Sequence, residues 1–385
     1  MGTLIVGGPT ARLQSDRCEI HPGGWTTEGQ KVIKYLGSKR LLVPVLGRIA
    51  SAVGARTAVD LFTGTTRVAQ EFKRRGLAVT AVDVATYAEV LARCYVATDA
   101  RAVDHDRLAE ALGRLNGLRG RRGYVTRTFC EDARYFRPEN GRRIDAVRDA
   151  IEEYDEALRP VLLTSLLLAA DRVDSTTGLQ MAYLKQWAPR AARPLTLVAP
   201  ALLDGPGTAV LGDATTLVDE LPATDLAYLD PPYNQHRYFT NYHVWETLVR
   251  WDRPAHYGIA CKRADARDPA TKSVFNYRGS MPDALRSVIS RTRAEVVVAS
   301  YNDESWMRPE QITAALIEAG HERVEAIGFD SKRYVGAQIG IHNLSGERVG
   351  EVSHLRNTEF LFLAGQKEKV EAAVAAVGHS EPVAS

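Results

Sequence analysis

Asp225-Leu226-Ala227-Tyr228-Leu229-Asp230-Pro231-Pro232-Tyr233 is an apolar run stopped by two consecutive prolines. A short apolar run ended in this way reads as a buried strand. The stop sets a carboxylate, two residues without N–H donors and an aromatic ring together at the strand's carboxyl end. Ligands of open α/β sheets bind at that edge.

Neighbouring segments supply the rest of such a sheet. Residues 57–62 read as a strand, 63–66 as a tight turn and 67–75 as a helix with Val68 and Phe72 on one face, closed by Gly76. Residues 77–82 form a second strand ending at Asp83, which completes half of a doubly wound nucleotide site. Further strands are expected at 209–213, 294–301 (the central one), 324–327 and 359–364, with a helix at 309–318. Ahead of them, Ser38 is placed to cap a helix carrying Leu41, Leu42, Val45, Leu46 and Ile49.

The alternation breaks between residues 91 and 205, where the pattern is mostly helical. From Arg101 to Arg148 there are twelve arginines, no lysine and seven acidic residues, a local excess of five positive charges. A solvated face explains such a run as well as a binding surface does. The rings among the arginines (Tyr124, Phe129, Tyr135, Phe136) tip the reading toward nucleic acid. The helix expected at 151–171 reads as structural. Residues 1–30 look like an extended arm, 331–358 like a β-hairpin with Lys332, Arg333, Arg348, His354 and Arg356, and 366–385 like a short helix and tail.

Bulk properties exclude several classes. The net charge of +2 over 385 residues points to no partner by itself. Cys18, Cys94, Cys130 and Cys261 are scattered, which fits reduced thiols rather than a disulfide framework or zinc site. No basic leader precedes a long apolar segment, and the most apolar stretch, 161–170, is too short to span a bilayer. The expectation is a soluble, cytoplasmic protein without a metal.

Asp60-x-Phe62-x-Gly64 after a strand suits a nucleotide pocket, because glycine lets the backbone approach a ligand. A third glycine, which a dinucleotide-dependent dehydrogenase needs, is missing, and Thr66 occupies that region. Asp83 stands where a ribose-binding acid belongs, although a strand may simply end there. Asp213 ends a further strand with the same two readings.

Asp230-Pro231-Pro232-Tyr233 resembles the Asp-Pro-Pro-Tyr motif of S-adenosylmethionine-dependent adenine-N6 DNA methyltransferases. Asp60-Leu61-Phe62-Thr63-Gly64 is similar to their cofactor loop, and Lys34-Tyr35-Leu36-Gly37-Ser38-Lys39 to the segment that precedes it in the Dam-like alpha class. The order of the three is that of the alpha class. Arg134-Tyr135-Phe136, the stretch from Asn140 to Arg148, and Met181-Ala182-Tyr183-Leu184-Lys185 further resemble the FokI-type modification methylases of type IIS systems. Thr66 departs from the pattern, since many relatives have glycine there.

The resemblance implies a Rossmann-like fold with a seven-stranded mixed sheet whose last strand is antiparallel. The methyltransferase domain would comprise 31–90 and 206–365, interrupted by a target-recognition insertion at 91–205. It implies S-adenosylmethionine as cofactor, double-stranded DNA as partner, and a separately encoded endonuclease or defence protein. Tyr35, Lys39, Asp60, Phe62, Gly64, Asp83, Asp213 and Asp230 become the cofactor-side residues, and Asp230, Pro231, Pro232 and Tyr233 the catalytic ones. The exocyclic amine of adenine is a weak nucleophile, and the Asp230 carboxylate with the Pro231 carbonyl can accept its two hydrogens as charge develops. Tyr233 offers a ring for the flipped base to stack on. Lys34 is a weaker candidate, and Tyr238, Tyr242 and Trp245 suit pocket or core equally. Ser300-Tyr301 suits packing, and His236 or His243 is not needed as a base. Cytosine-N4 or RNA methylation and a non-catalytic DNA-binding subunit are the rival readings.

Overall fold

The computed structural model describes residues 33–35, 39, 42–232, 237–303, 305–332 and 356–378. The expected arm, the centre of the 331–358 hairpin with Arg333, Arg348 and His354, and the final tail lie outside them. So do Ser38, Tyr233 and His236.

Seven strands form one sheet: β1 (Thr57–Asp60), β2 (Ala78–Asp83), β3 (Gly207–Leu211), β4 (Thr224–Leu229), β5 (Ala294–Asn302), β6 (Arg323–Lys332) and β7 (Arg356–Gly365). Their order across the sheet is 3-2-1-4-5-7-6. β1 to β5 pair in parallel, and β7 lies antiparallel between β5 and β6. This is the Rossmann-like mixed sheet with a reversed last strand. β4 takes the central place rather than the strand at 294–302. β5 is nonetheless enclosed by β4 and β7, which explains its unbroken apolar run.

Side chains alternate between two cores, as strand geometry requires. Leu226, Tyr228, Val296 and Val298 belong to one, and Ala227, Leu229, Val297 and Ala299 to the other. The first face carries helices α1 (Val43–Ala52), α2 (Arg67–Arg74), α3 (Thr86–Ala92), α4 (His105–Gly117), α5 (Pro138–Ile151), α6 (Arg159–Val173) and α7 (His243–Arg250). The second carries α8 (Met281–Arg291) and α9 (Pro309–Glu318). A last helix, α10 (Lys367–Gly378), packs against α1 on the first face. The helical stretch after β2 is therefore built onto the sheet: Leu112, Phe129, Ile144 and Leu167 share one core with Val79 and Tyr228.

Three local expectations change. The helix expected at 151–171 begins at Arg159, because the chain turns after Ile151 and Pro160 sits in the new first turn. The first helix is capped at Leu42 without a side-chain bond, and Pro44 opens it. The third change concerns the rings of the arginine-rich run, three of which pack inside instead of forming a stacking surface, while Tyr124 is half-buried. Phe129, Tyr135 and Phe136 are buried, and Phe129 meets Tyr124 and Tyr135 edge to face. The excess charge is largely cancelled as well. Arg107, Arg114 and Arg121 pair with Asp155, Glu153 and Asp149, all just beyond the counted stretch. Arg148 is buried and donates to the carbonyls of Leu248 and Val249. Cys94, Cys130 and Cys261 are free and buried.

Candidate active site at the carboxyl ends of the central strands

A cavity of about 310 Å³ opens where β1, β2 and β4 end. Tyr35, Lys39, Asp60, Phe62, Gly64, Asp83, Asp213, Asp230 and Pro232 line it together. These come from segments nearly two hundred residues apart, and the strand order 2-1-4 is what gathers them. Pro231 is buried and lines no part of the cavity.

The loop after β1 is fixed by backbone bonds. The Thr63 N–H donates to the Val82 carbonyl (3.0 Å), and the Gly64 N–H to Asp83 Oδ2 (2.8 Å). Gly64 has φ +52°, and a Cβ there would lie 3.1 Å from Tyr35 Oη. Thr66 adopts the left-handed conformation itself, with φ +63°. A threonine in that region costs about 1–2 kcal/mol. Its hydroxyl donates to the Thr65 carbonyl (2.7 Å) and accepts from Gln70 Nε2 (2.8 Å). The loop thus reaches, with local bonding, the backbone conformation that glycine adopts without strain.

Four aspartates face this space in different states. Asp60 is 1% exposed; Oδ2 accepts from the Thr63 hydroxyl (3.0 Å), while Oδ1 has no hydrogen-bond partner among the described residues. Burial, opposed by the Thr63 bond and reinforced by Asp230, pushes its carboxyl up to about 7. Asp83 is raised by burial too, against bonds from the Ala85 and Gly64 N–H groups. Asp213 caps a short helix, accepting from the Thr215 N–H (2.8 Å). Asp230 Oδ1 lies 3.0 Å from Lys39 Nζ, and Lys39 also binds Glu359, which accepts from the Ser300 hydroxyl. Burial raises Asp230 to about 6, with Lys39 opposing and Glu359 adding to the rise.

Tyrosine rings form the remaining wall. Tyr35 stacks against both Tyr238 and Tyr242, at 5.4 and 4.6 Å between centroids, and those two stack on each other at 6.3 Å. Tyr242 stacks in turn on Trp245 at 4.7 Å. Of these, Tyr238 lines the cavity, whereas Tyr242 and Trp245 are core. Lys34 does not line it; its ammonium lies 2.5 Å from Asp174. His243 is a core residue whose burial lowers its pKa to about 3. Ser300 supports Glu359, and Tyr301 packs in the second core.

Two acids escaped the sequence reading. Glu246 lines the cavity and accepts from the Thr86 hydroxyl (2.5 Å) and the Tyr87 N–H (3.3 Å). Its signal was an acid set among Val244, Trp245 and Leu248 in a short helix. Glu359 stands near the start of β7, just ahead of its apolar run, and looks in the sequence like an ordinary solvent-facing residue.

The D12 class N6 adenine-specific DNA methyltransferase family matches residues 35–315. The chain belongs to this family. Its reaction is methyl transfer to adenine N6 in DNA. The methyltransferase is 30% identical to the type II methyltransferase M.NlaIII of Neisseria lactamica over 349 residues, 86% of this chain and 98% of that one. It is 28% identical to the modification methylase StsI of Streptococcus sanguinis, across 74% of this chain and 46% of that one. It is also 28% identical to the type II methyltransferase M.FokI of Planomicrobium okeanokoites, across 48% of this chain and 29% of that one. The FokI-type resemblance is thus one of motifs within much longer proteins. Among the described residues, no helix is long and apolar enough to cross a membrane.

Proposed function

We propose that the chain is the modification enzyme of a restriction–modification system, methylating one adenine of a specific double-stranded site with S-adenosylmethionine as donor. A separately encoded endonuclease would share the site, and the cytoplasm is the setting this implies. The observation that carries the reading is the convergence of Asp230, at the end of β4, with Asp60, Gly64 and Asp83 around one cavity.

The residues fit the cofactor. Asp60 leaves a buried carboxylate oxygen unpartnered, which suits a cationic amine. The missing side chain at Gly64 keeps a space that a Cβ would take from Tyr35. Asp83 retains acceptor capacity for sugar hydroxyls beside its two backbone bonds. When bound, S-adenosylmethionine supplies a methyl group on a sulfonium.

This chain's own part is positioning and charge. Lys39 engages one oxygen of Asp230, leaving the other to accept from the adenine amine. The Pro231 carbonyl is the proposed acceptor of the second hydrogen, although Pro231 itself lies behind its cavity-lining neighbours Asp230 and Pro232, and neither proline offers a competing N–H. These acceptors return electron density to the nitrogen and stabilise its developing positive charge. Lys39 acts here as a positioning residue for Asp230 as well as a wall of the cavity. Tyr233 remains the proposed stacking face for the base.

Aspartate rather than serine or asparagine ahead of Pro-Pro-Tyr favours adenine over cytosine N4, as the family match does. Expression in a methylation-free host, followed by modification sequencing, should reveal methyladenine at a single motif. It should disappear with Asp230→Ala. Unmodified DNA in the presence of folded wild-type protein would sink the proposal, and calorimetry without S-adenosylmethionine binding would point to a non-catalytic subunit.

A further inference from the structure

The loop between α6 and Pro189, with its Met181-Ala182-Tyr183-Leu184-Lys185 stretch, lines no part of the catalytic cavity. It is nevertheless tied at two points to the tyrosine wall of the cavity. Gln180 is one anchor: its N–H donates to the Asn241 carbonyl (2.8 Å), and its side-chain oxygen accepts from the Val244 and Trp245 N–H groups at 2.9 and 3.3 Å. Asn241 ends the short helix that carries Tyr238, a cavity residue. The second anchor is Asp174, at the loop's start, which holds Lys34 beside Tyr35. The loop therefore stands next to the catalytic end.

It displays rings and positive charge. Tyr183 and Trp187 are half-buried, while Lys185 is exposed and makes no hydrogen bond or ion pair among the described residues. Arg134 lies over Tyr183 and Trp187 at 5.9 and 5.6 Å, and Arg137 over Trp187 at 5.6 Å. Arg137 also lines an adjoining groove of about 680 Å³ with Asn140, Arg143 and Arg193, against one acid, Glu139. A packing role would resemble Arg148 over Trp251, where the residue is 2% exposed and its guanidinium donates to two carbonyls. Arg137 differs: its Nε is buried, but the residue is half-exposed and its side chain makes no hydrogen bond or ion pair among the described residues.

We propose that this loop and groove form a contact strip for the DNA strand flanking the target adenine. Tyr183 and Trp187 supply stacking faces, Arg137 and Lys185 meet phosphates, and Arg134, which donates to the Leu184 carbonyl (3.1 Å), holds the loop in place. The inference rests on the DNA-methylase reading of the cavity.

The test is fluorescence anisotropy with a duplex carrying the genomic methylation motif, over a salt series, beside S-adenosylmethionine calorimetry on the same proteins. Trp187→Ala should weaken duplex binding about 5- to 150-fold, the range for losing one stacked base. Arg137→Gln and Lys185→Glu alter only surface charge, and Arg137→Gln should lower the salt slope by about 0.9. Cofactor affinity should stay within about twofold in all three, which separates a contact role from lost structure. Wild-type methylation together with unchanged duplex affinity and salt slope in the two charge variants would overturn the strip while leaving the methylase reading intact. Absent wild-type methylation would strike that reading instead.

Discussion

The two ends of the cavity use the same residue type in opposite ways. At the ends of β1 and β2, Asp60 and Asp83 are held by hydroxyl and backbone N–H donors, and among the described residues no cationic side chain pairs with them. At the end of β4, Asp230 faces Lys39 at 3.0 Å, and Lys39 is shared with Glu359. Burial raises both Asp60 and Asp230, but among the described residues only Asp230 has a protein cation opposing the rise. Negative charge left unbalanced in a buried site is costly unless a ligand compensates it. The protein therefore supplies its own cation where a carboxylate must be held in one position. It omits one where a cationic ligand is expected to arrive.

Removing Lys39 is the most damaging way to break this contrast. Lys39→Met strands Asp230 and Glu359 as buried like charges, with an expected loss of about 3–5 kcal/mol of stability. Thermal and urea denaturation would measure it, and a loss below about 1 kcal/mol would show that the pair is well solvated. Asp230→Ala should lower kcat by about 10²–10³-fold, the effect of deleting one preorganised group that stabilises transition-state charge. Cofactor affinity measured by calorimetry should change far less.

At the other end the order reverses. Asp60→Asn should weaken S-adenosylmethionine binding by about 1.5–3 kcal/mol, the worth of a hydrogen bond to a charged group, and leave kcat at saturation largely intact. Equal affinity in the variant would mean that the unpartnered oxygen meets no ligand cation.

Acid should sharpen the comparison further. An acid with a raised pKa is protonated at higher pH than usual, so Asp230 loses its acceptor function as pH falls through about 6. Single-turnover rates should drop about tenfold per pH unit below that point. Asp60, near 7, should be partly protonated in the free enzyme at neutral pH. A ligand cation lowers its pKa, so binding should release protons, seen as a calorimetric enthalpy that varies with the buffer's ionisation heat. A buffer-independent enthalpy would contradict this.

The smallest effect is expected at the loop. Thr66→Gly relieves a left-handed threonine but loses its bond from Gln70 and adds unfolded-state freedom. Its melting temperature should move by only a few degrees, with methylation retained.

Much of this was legible in the chain because it is written in local terms. The strand–turn–helix unit at 57–83 declares itself through alternation, Gly64 and Gly76, and both glycines take positive φ. Asp230 announces itself by the two prolines after it. The arginine-rich stretch misled for an equally physical reason: a window of sequence cannot see a charge partner beyond its edge. Asp149, Glu153 and Asp155 cancelled what Arg121, Arg114 and Arg107 suggested. Ring-bearing residues likewise carry no mark that separates a stacking platform from a core, and burial decided it for Phe129, Tyr135 and Phe136.

By itself, then, the sequence determined the strands, the turn chemistry and the motif residues, because backbone conformation and apolar periodicity depend on near neighbours. Tertiary structure alone decided the charge state of the site. Lys39, Asp230 and Glu359 meet only because the chain reverses at β7 and sets its start beside β5. A pKa depends on burial and on charges within a few ångströms, and neither is a local property of the chain.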